Sequence, residues 1–236
     1  MTPSSEPAFR EHPDRDSLAA ALADHIAALV RAAVAARGIC ALVLSGGTTP
    51  VALFARLATL PGLPWDRTVL TLADERWVEP DDPASNEGLV RRTLAPALAQ
   101  GARFVGLKSR GAVPVDGLAE TELRLASVPR PFDLVLLGMG DDGHTASLFP
   151  GGEGLADALA GQGRLAASVV PAIPGPPRVT LTLPALLQAR EIALLITGPS
   201  KRAVYDAALR PGPVEEFPVR GVLHQAAAPV TTWWAP

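Results

Sequence analysis

The chain has 236 residues, of which 48% are hydrophobic and 19% charged, and its 21 basic and 24 acidic side chains leave a net charge of −3. This balance excludes global disorder and offers no basic surface to coat nucleic acid or an anionic membrane. A single cysteine excludes an intramolecular disulfide and a cysteine-based zinc site.

Residues 1–13, with Pro3, Pro7 and Pro13, read as a loose tail ahead of one domain over 14–236. No basic segment leads into an apolar stretch, and no apolar run reaches about 18 residues, so neither a signal peptide nor a membrane span is expected. A soluble cytoplasmic protein follows. Residues 14–37 carry an Ala-rich amphipathic helix pattern with Gly38 as its stop. His12 in the tail and His25 in this helix read as structural. Residues 39–44 are continuously apolar, as in a strand buried on both faces, and make Cys40 an inert buried thiol. The loop Ser45-Gly46-Gly47-Thr48-Thr49 comes next, and Pro50 suits the first position of a helix to about residue 58. A strand at 68–73 ends in Asp74-Glu75-Arg76, and Ser85 caps a helix running to about 99. A short strand at 103–107, a helix at 118–127 and an apolar strand at 132–137 follow. The last of these runs into Gly138-Met139-Gly140-Asp141-Asp142-Gly143-His144. Further strands fall at 179–183 and 192–197, a helix at 199–209, and a last strand at 230–234.

Alternating strands and helices, with several strands solidly apolar, predict an α/β protein: a mostly parallel sheet with helices on both faces. Ligands in such sheets bind beyond the carboxyl ends of the strands. The loops at 45–49, 74–76, 138–144 and 198–201 all fall there.

Glycines 46 and 47 let the first loop bend and expose its N–H groups, and the following helix start adds partial positive charge. With the hydroxyls of Ser45, Thr48 and Thr49 this makes a phosphate cradle, though not a Walker A loop. The run from Gly138 to Gly143 matches G-x-G-x-x-G in form only, because Asp141 and Asp142 would set two carboxylates against a pyrophosphate. The loop makes better sense as a mount for His144. A carboxylate two residues earlier, Asp142, can orient the imidazole and stabilise its protonated form. Asp74 and Arg76 suit a polar pocket wall toward which Asn86 can point back. Arg178 and Lys201 are placed to hold a phosphate by charge-assisted hydrogen bonds.

Four blocks taken in order carry a resemblance. They are Leu44-Ser45-Gly46-Gly47-Thr48-Thr49-Pro50; Asp74-Glu75-Arg76-Trp77-Val78 with Ser85-Asn86; the run from Asp133 through His144-Thr145-Ala146-Ser147-Leu148-Phe149-Pro150; and Arg178-Val179-Thr180-Leu181 with Gly198-Pro199-Ser200-Lys201. Over residues 15–234 the chain closely resembles the 6-phosphogluconolactonase family, which belongs with glucosamine-6-phosphate deaminase and, more distantly, ribose-5-phosphate isomerase. The resemblance implies an open α/β/α sandwich with a modified doubly wound sheet. It implies hydrolysis of a sugar-phosphate lactone without metal or cofactor; a monomer or small homo-oligomer is expected, the sequence not deciding which. The deaminases carry Asp-Glu-Tyr where this chain has Asp74-Glu75-Arg76, and a glutamate where it has Phe149; the residues favour the lactonase. A deaminase, discriminated by ammonia release, and a non-catalytic sugar-phosphate sensor are the alternatives. On the favoured reading His144 is the general base, Asp142 its orienting partner and Asp74 a supplement. The 45–49 loop, Arg178 and Lys201 clamp the phosphate, and Arg76 serves either the phosphate or the oxyanion.

Overall fold

The computed structural model describes residues 7–236. Its elements in order are β1 (Ala8–Glu11), α1 (Arg15–Arg37), β2 (Cys40–Leu44), α2 (Val51–Thr59), β3 (Thr68–Leu72), β4 (Asp74–Arg76), α3 (Asn86–Thr93), α4 (Ala95–Ala99), β5 (Arg103–Val105) and α5 (Pro114–Leu125). They continue with β6 (Leu134–Leu137), α6 (Leu155–Ala160), β7 (Ala166–Val169), β8 (Arg178–Leu181), α7 (Leu183–Leu186), β9 (Ile192–Thr197), α8 (Pro199–Ala208), α9 (Arg220–Leu223) and β10 (Val230–Ala235).

Seven strands form a wholly parallel sheet in the order β1-β10-β9-β6-β2-β3-β5, flanked by helices. Strands β2, β3 and β6 are buried at every position, which is why their sequences are unbroken apolar runs rather than alternating ones. From β2 the chain winds outward through β3 to β5. From β6 it winds the other way through β9 to β10. The order therefore reverses between β2 and β6, and the loops leaving these neighbouring strands diverge there, the standard place for a ligand crevice.

Helix α1 is held at its start by Asp14, whose side chain accepts from the Ser17 N–H, and stopped by Gly38 at φ 75°. It is long and apolar enough to cross a bilayer by composition, contrary to the expectation from uninterrupted apolar runs. Its Leu18, Leu22, Ile26 and Val30 are nonetheless buried in the core, at helical spacing, where the helix packs on α2 and the sheet.

Several elements differ from expectation. The loose tail over 1–13 lies partly outside the described residues, but Ala8–Glu11 is an edge strand paired with β10, which makes β10 an interior strand. The helix expected over 85–99 breaks at Leu94 (φ −104°, ψ 23°), because Pro96 has no N–H to continue α3. The helix α5 starts earlier than expected, at Pro114, whose fixed φ suits a first helical position. Asp74-Glu75-Arg76 is a strand, and residues 178–181 do not join the parallel sheet. Strands β4, β8 and β7 form a separate antiparallel sheet in that order, with Asp74 opposite Thr180 and Arg76 opposite Arg178. Four-residue strands give too little periodicity to reveal which sheet they join.

Candidate active site

The crevice at the β2/β6 reversal is a cleft of about 240 Å³. Its walls are the 45–50 loop, Asp74, Arg76 and Asn86 from the β4–α3 region, the 138–140 turn, His144 and Lys201. Every expected site residue lines it except two. Asp142 stands behind His144, and Arg178 stands beside Arg76 in the antiparallel sheet.

The 45–49 loop joins the buried end of β2 to α2. Among the described residues none of the backbone N–H groups of residues 46–49 donates a hydrogen bond within the chain. Four free donors beside a helix start form an anion site in waiting. Gly46 is required for a second reason: a Cβ there would lie 1.8 Å from Asn86 Oδ1. Ser45 departs from expectation, since its hydroxyl donates to the Leu136 carbonyl at 2.8 Å. Its proton ties β2 to β6 rather than serving a ligand. Lys201 enters from the first turn of α8 on the other side.

Asp74 is buried and fixed by two neighbours. Ser147 Oγ donates to its Oδ2 at 2.5 Å, and Asn86 Nδ2 donates to its backbone oxygen at 2.9 Å. Asn86 Oδ1 is buried and has no partner, leaving a vacant acceptor in the cleft wall. Glu75, fully buried, has a structural task. Its carboxylate accepts from the N–H groups of Arg76, Asn86 and Glu87 and from Ser85 Oγ, pinning the start of α3. Burial pushes its pKa up, against the pull of those donors. Arg76 donates to the Ala84 carbonyl. Arg178 Nη1 is buried without a partner. Burial first, then the like charge of Arg76, pulls the Arg178 pKa down, while Asp74 and Glu75 oppose the shift. Two neighbouring guanidinium groups thus stand against two carboxylates, Asp74 and Glu75, in this wall.

His144 is mounted by its loop. Asp142 Oδ1 accepts from the His144 backbone N–H at 3.1 Å and lies 2.5 Å from its Nδ1. A carboxylate at that distance places the proton on Nδ1 and leaves Nε2 as the basic nitrogen. Among the described residues Nε2 has no hydrogen-bond partner. The ring rests on Phe149, centroid to centroid 4.3 Å. His144 and Asp74 share the cleft but make no hydrogen bond to each other. Burial raises the Asp142 pKa, but the hydrogen bonds and charge of His144 outweigh it and hold the carboxyl below its ordinary value. A carboxyl depressed in the fold stabilises fully above the ordinary aspartate range and loses that contribution as pH falls through its folded value. The difference in Tm between the wild type and Asp142→Asn should therefore narrow in acid, in thermal melts across a pH series.

Sequence reasoning missed three parts of this site. Ser147 holds Asp74 from three residues beyond His144, a spacing without a motif of its own. Ala146, at φ 49°, turns the chain between them at a backbone cost non-glycine residues rarely bear. Gly140 clears the ring, since a Cβ there would lie 2.2 Å from His144 Nδ1. His12 and His25 lie elsewhere, packed on Trp233, and His25 pairs with Glu191.

Comparison with known proteins agrees with the geometry. The family described as glucosamine-6-phosphate isomerases/6-phosphogluconolactonase matches residues 13–234. A 6-phosphogluconolactonase of Mesorhizobium japonicum is 45% identical over 225 residues, covering 95% of this chain and 93% of its own. One from Pseudomonas putida is 42% identical over 226 residues, covering 94% and 90%. Among solved structures, a 6-phosphogluconolactonase from Shewanella baltica superposes with a TM-score of 0.95 at 41% identity, covering 99% of both chains. Another from Trypanosoma brucei gives 0.84 at 25% identity, covering 98% of this chain and 97% of its own.

Proposed function

The chain belongs to the glucosamine-6-phosphate isomerase/6-phosphogluconolactonase family, and from that membership we propose that it hydrolyses 6-phospho-D-glucono-1,5-lactone to 6-phosphogluconate in the oxidative pentose phosphate pathway. One observation carries the reading: a histidine with Nδ1 fixed by a carboxylate and Nε2 free stands in the same cleft as four unused backbone donors and a lysine.

The phosphate binds the N–H groups of 46–49 with Lys201, while Arg178, outside the cleft lining, stands beside Arg76. Anchoring there sets C1 of the lactone against His144, which turns remote binding energy into rate. His144 Nε2 takes a proton from water as the oxygen attacks C1. The C1 carbonyl becomes a tetrahedral oxyanion, stabilised by Arg76. Asp142 stabilises the imidazolium. As the oxyanion collapses, the bond from C1 to the ring oxygen breaks, and Nε2–H supplies the proton that oxygen needs. Water is added across the ester and His144 returns to neutrality. Asp74 and the vacant acceptor of Asn86 suit the sugar hydroxyls. No step calls on a metal or cofactor. The same reading makes this a soluble, cytoplasmic enzyme.

Phe149 against the His144 ring supports this reaction over amino-sugar isomerisation, because a phenyl ring offers no acid–base help at that position. The wild type should speed the loss of the lactone and release no ammonia from glucosamine 6-phosphate. Ammonia release would favour the deaminase. Lys201→Ala should raise KM by about tenfold or more with a smaller change in kcat, in steady-state assays, as expected for a contact made equally in ground and transition states.

A further inference from the structure

A second polar pocket, of about 750 Å³, lies on the far side of the α3 start from the substrate cleft. Asn86 faces the cleft and its neighbour Glu87 lines the pocket, while the N–H groups of both are held by Glu75. The pocket sits beyond the carboxyl end of β5, where Gly106-Leu107-Lys108-Ser109-Arg110-Gly111 leads toward α5. Gly106 leaves room for Glu87, since a Cβ there would lie 2.1 Å from Glu87 Oε2 and displace that carboxylate.

Four cations line it, Arg91, Lys108, Arg110 and Arg124, with two carboxylates, Glu79 and Glu87, and a third, Glu120, pairs with Arg124 just behind the lining. The cations outnumber the carboxylates around them by one, in a chain whose net charge is −3. Three of the four are anchored at one end. Arg124 Nη1 donates to the Lys108 carbonyl at 2.7 Å, and Arg91 Nε donates to Glu87 at 2.8 Å. The Lys108 ammonium lies 4.6 Å from the Trp77 ring centroid, with its side chain only 11% exposed. Its carboxylate partner, Glu79, is 73% exposed, and such a pairing is worth little and exchanges readily. The Arg110 guanidinium makes no hydrogen bond among the described residues, though Glu120, which accepts from the Arg110 backbone N–H at 3.3 Å, attracts it. Cations fixed in place, with N–H groups to spare, lose little further freedom on binding an anion. The volume is in the range of small-molecule sites. Phe104, with the Arg91 guanidinium 5.1 Å from its ring centroid, adds a flat apolar surface.

We propose that this pocket is a second anion site, separate from the substrate cleft, that binds a compact ligand carrying two or more linked phosphates. Lys108 and Arg110 on the loop grip the phosphates, with Arg124 and Arg91 at the sides.

Calorimetric titration with pyrophosphate tests this on the wild type, Arg110→Ala and Lys201→Ala. Arg110 is exposed and outside the catalytic machinery, so its variant should fold and hydrolyse the lactone as the wild type does. The expected result is pyrophosphate binding that survives Lys201→Ala and weakens about tenfold or more in Arg110→Ala. Binding absent from the wild type, lost with Lys201→Ala, or unchanged in Arg110→Ala overturns the proposal. ADP titrated the same way separates the sources: affinity equal to pyrophosphate assigns recognition to the phosphates alone, and tighter binding adds the Phe104 surface.

Discussion

Replacing His144 by alanine is expected to lower kcat by about 10²–10⁴-fold, the usual worth of a positioned general base. The proposed phosphate contacts lie in other loops, so KM should stay near the wild-type value. The loss should be kinetic rather than a failure to fold. The side chain is partly exposed, and its recorded partners are Asp142 and the face of Phe149. A Tm close to that of the wild type, alongside the fall in kcat, separates the two causes. Residual activity should persist, because binding and oxyanion stabilisation do not pass through the imidazole.

Gly140→Ala should approach the same loss without touching a functional group. The added Cβ would lie 2.2 Å from both Cε1 and Nδ1 of His144 and 2.6 Å from Asp142 Oδ1. No packed atoms approach so closely, so the imidazole must leave its carboxylate or the turn must open. The turn is held by Gly140 N–H donating to the His144 carbonyl at 2.9 Å and by Gly143 N–H donating to the Gly140 carbonyl at 3.1 Å, so the ring is the part that yields. We expect kcat to fall by about 10²-fold or more. The decisive feature is non-additivity. Adding Gly140→Ala to His144→Ala should cost almost nothing further in kcat, because the methyl group then occupies the space the ring has vacated. Full additivity in steady-state assays would mean that Gly140 acts elsewhere than on His144.

The parallel sheet was legible in the sequence because strands such as β2 and β6 are buried on both faces and write that as unbroken apolar runs. Their carboxyl-end loops could be picked out for the same reason. The antiparallel sheet was not legible. Its strands β4, β7 and β8 are three or four residues long, and Asp74-Glu75-Arg76 looks like a solvated loop until Glu75 is seen capping α3 from inside. The site followed the same division. The placement of His144 beside Asp142 and of the 45–49 loop at the cleft could be read from residue type and spacing. Ser147 and Gly140 did not, since one acts through Asp74 and the other by what it lacks. Ser45 lines the cleft as its place beside a glycine pair suggests, but the bond of its hydroxyl to the Leu136 carbonyl has no signal in the sequence.

His144 is the proposed base of a lactone hydrolysis. The most direct measurement generates 6-phospho-D-glucono-1,5-lactone in place and follows its decay above the spontaneous rate, with wild type and His144→Ala side by side. Rapid decay with the wild type and decay near the spontaneous rate with the variant is the predicted result. Equal acceleration by both proteins would contradict the assignment of the base, and acceleration by neither would contradict the reaction itself.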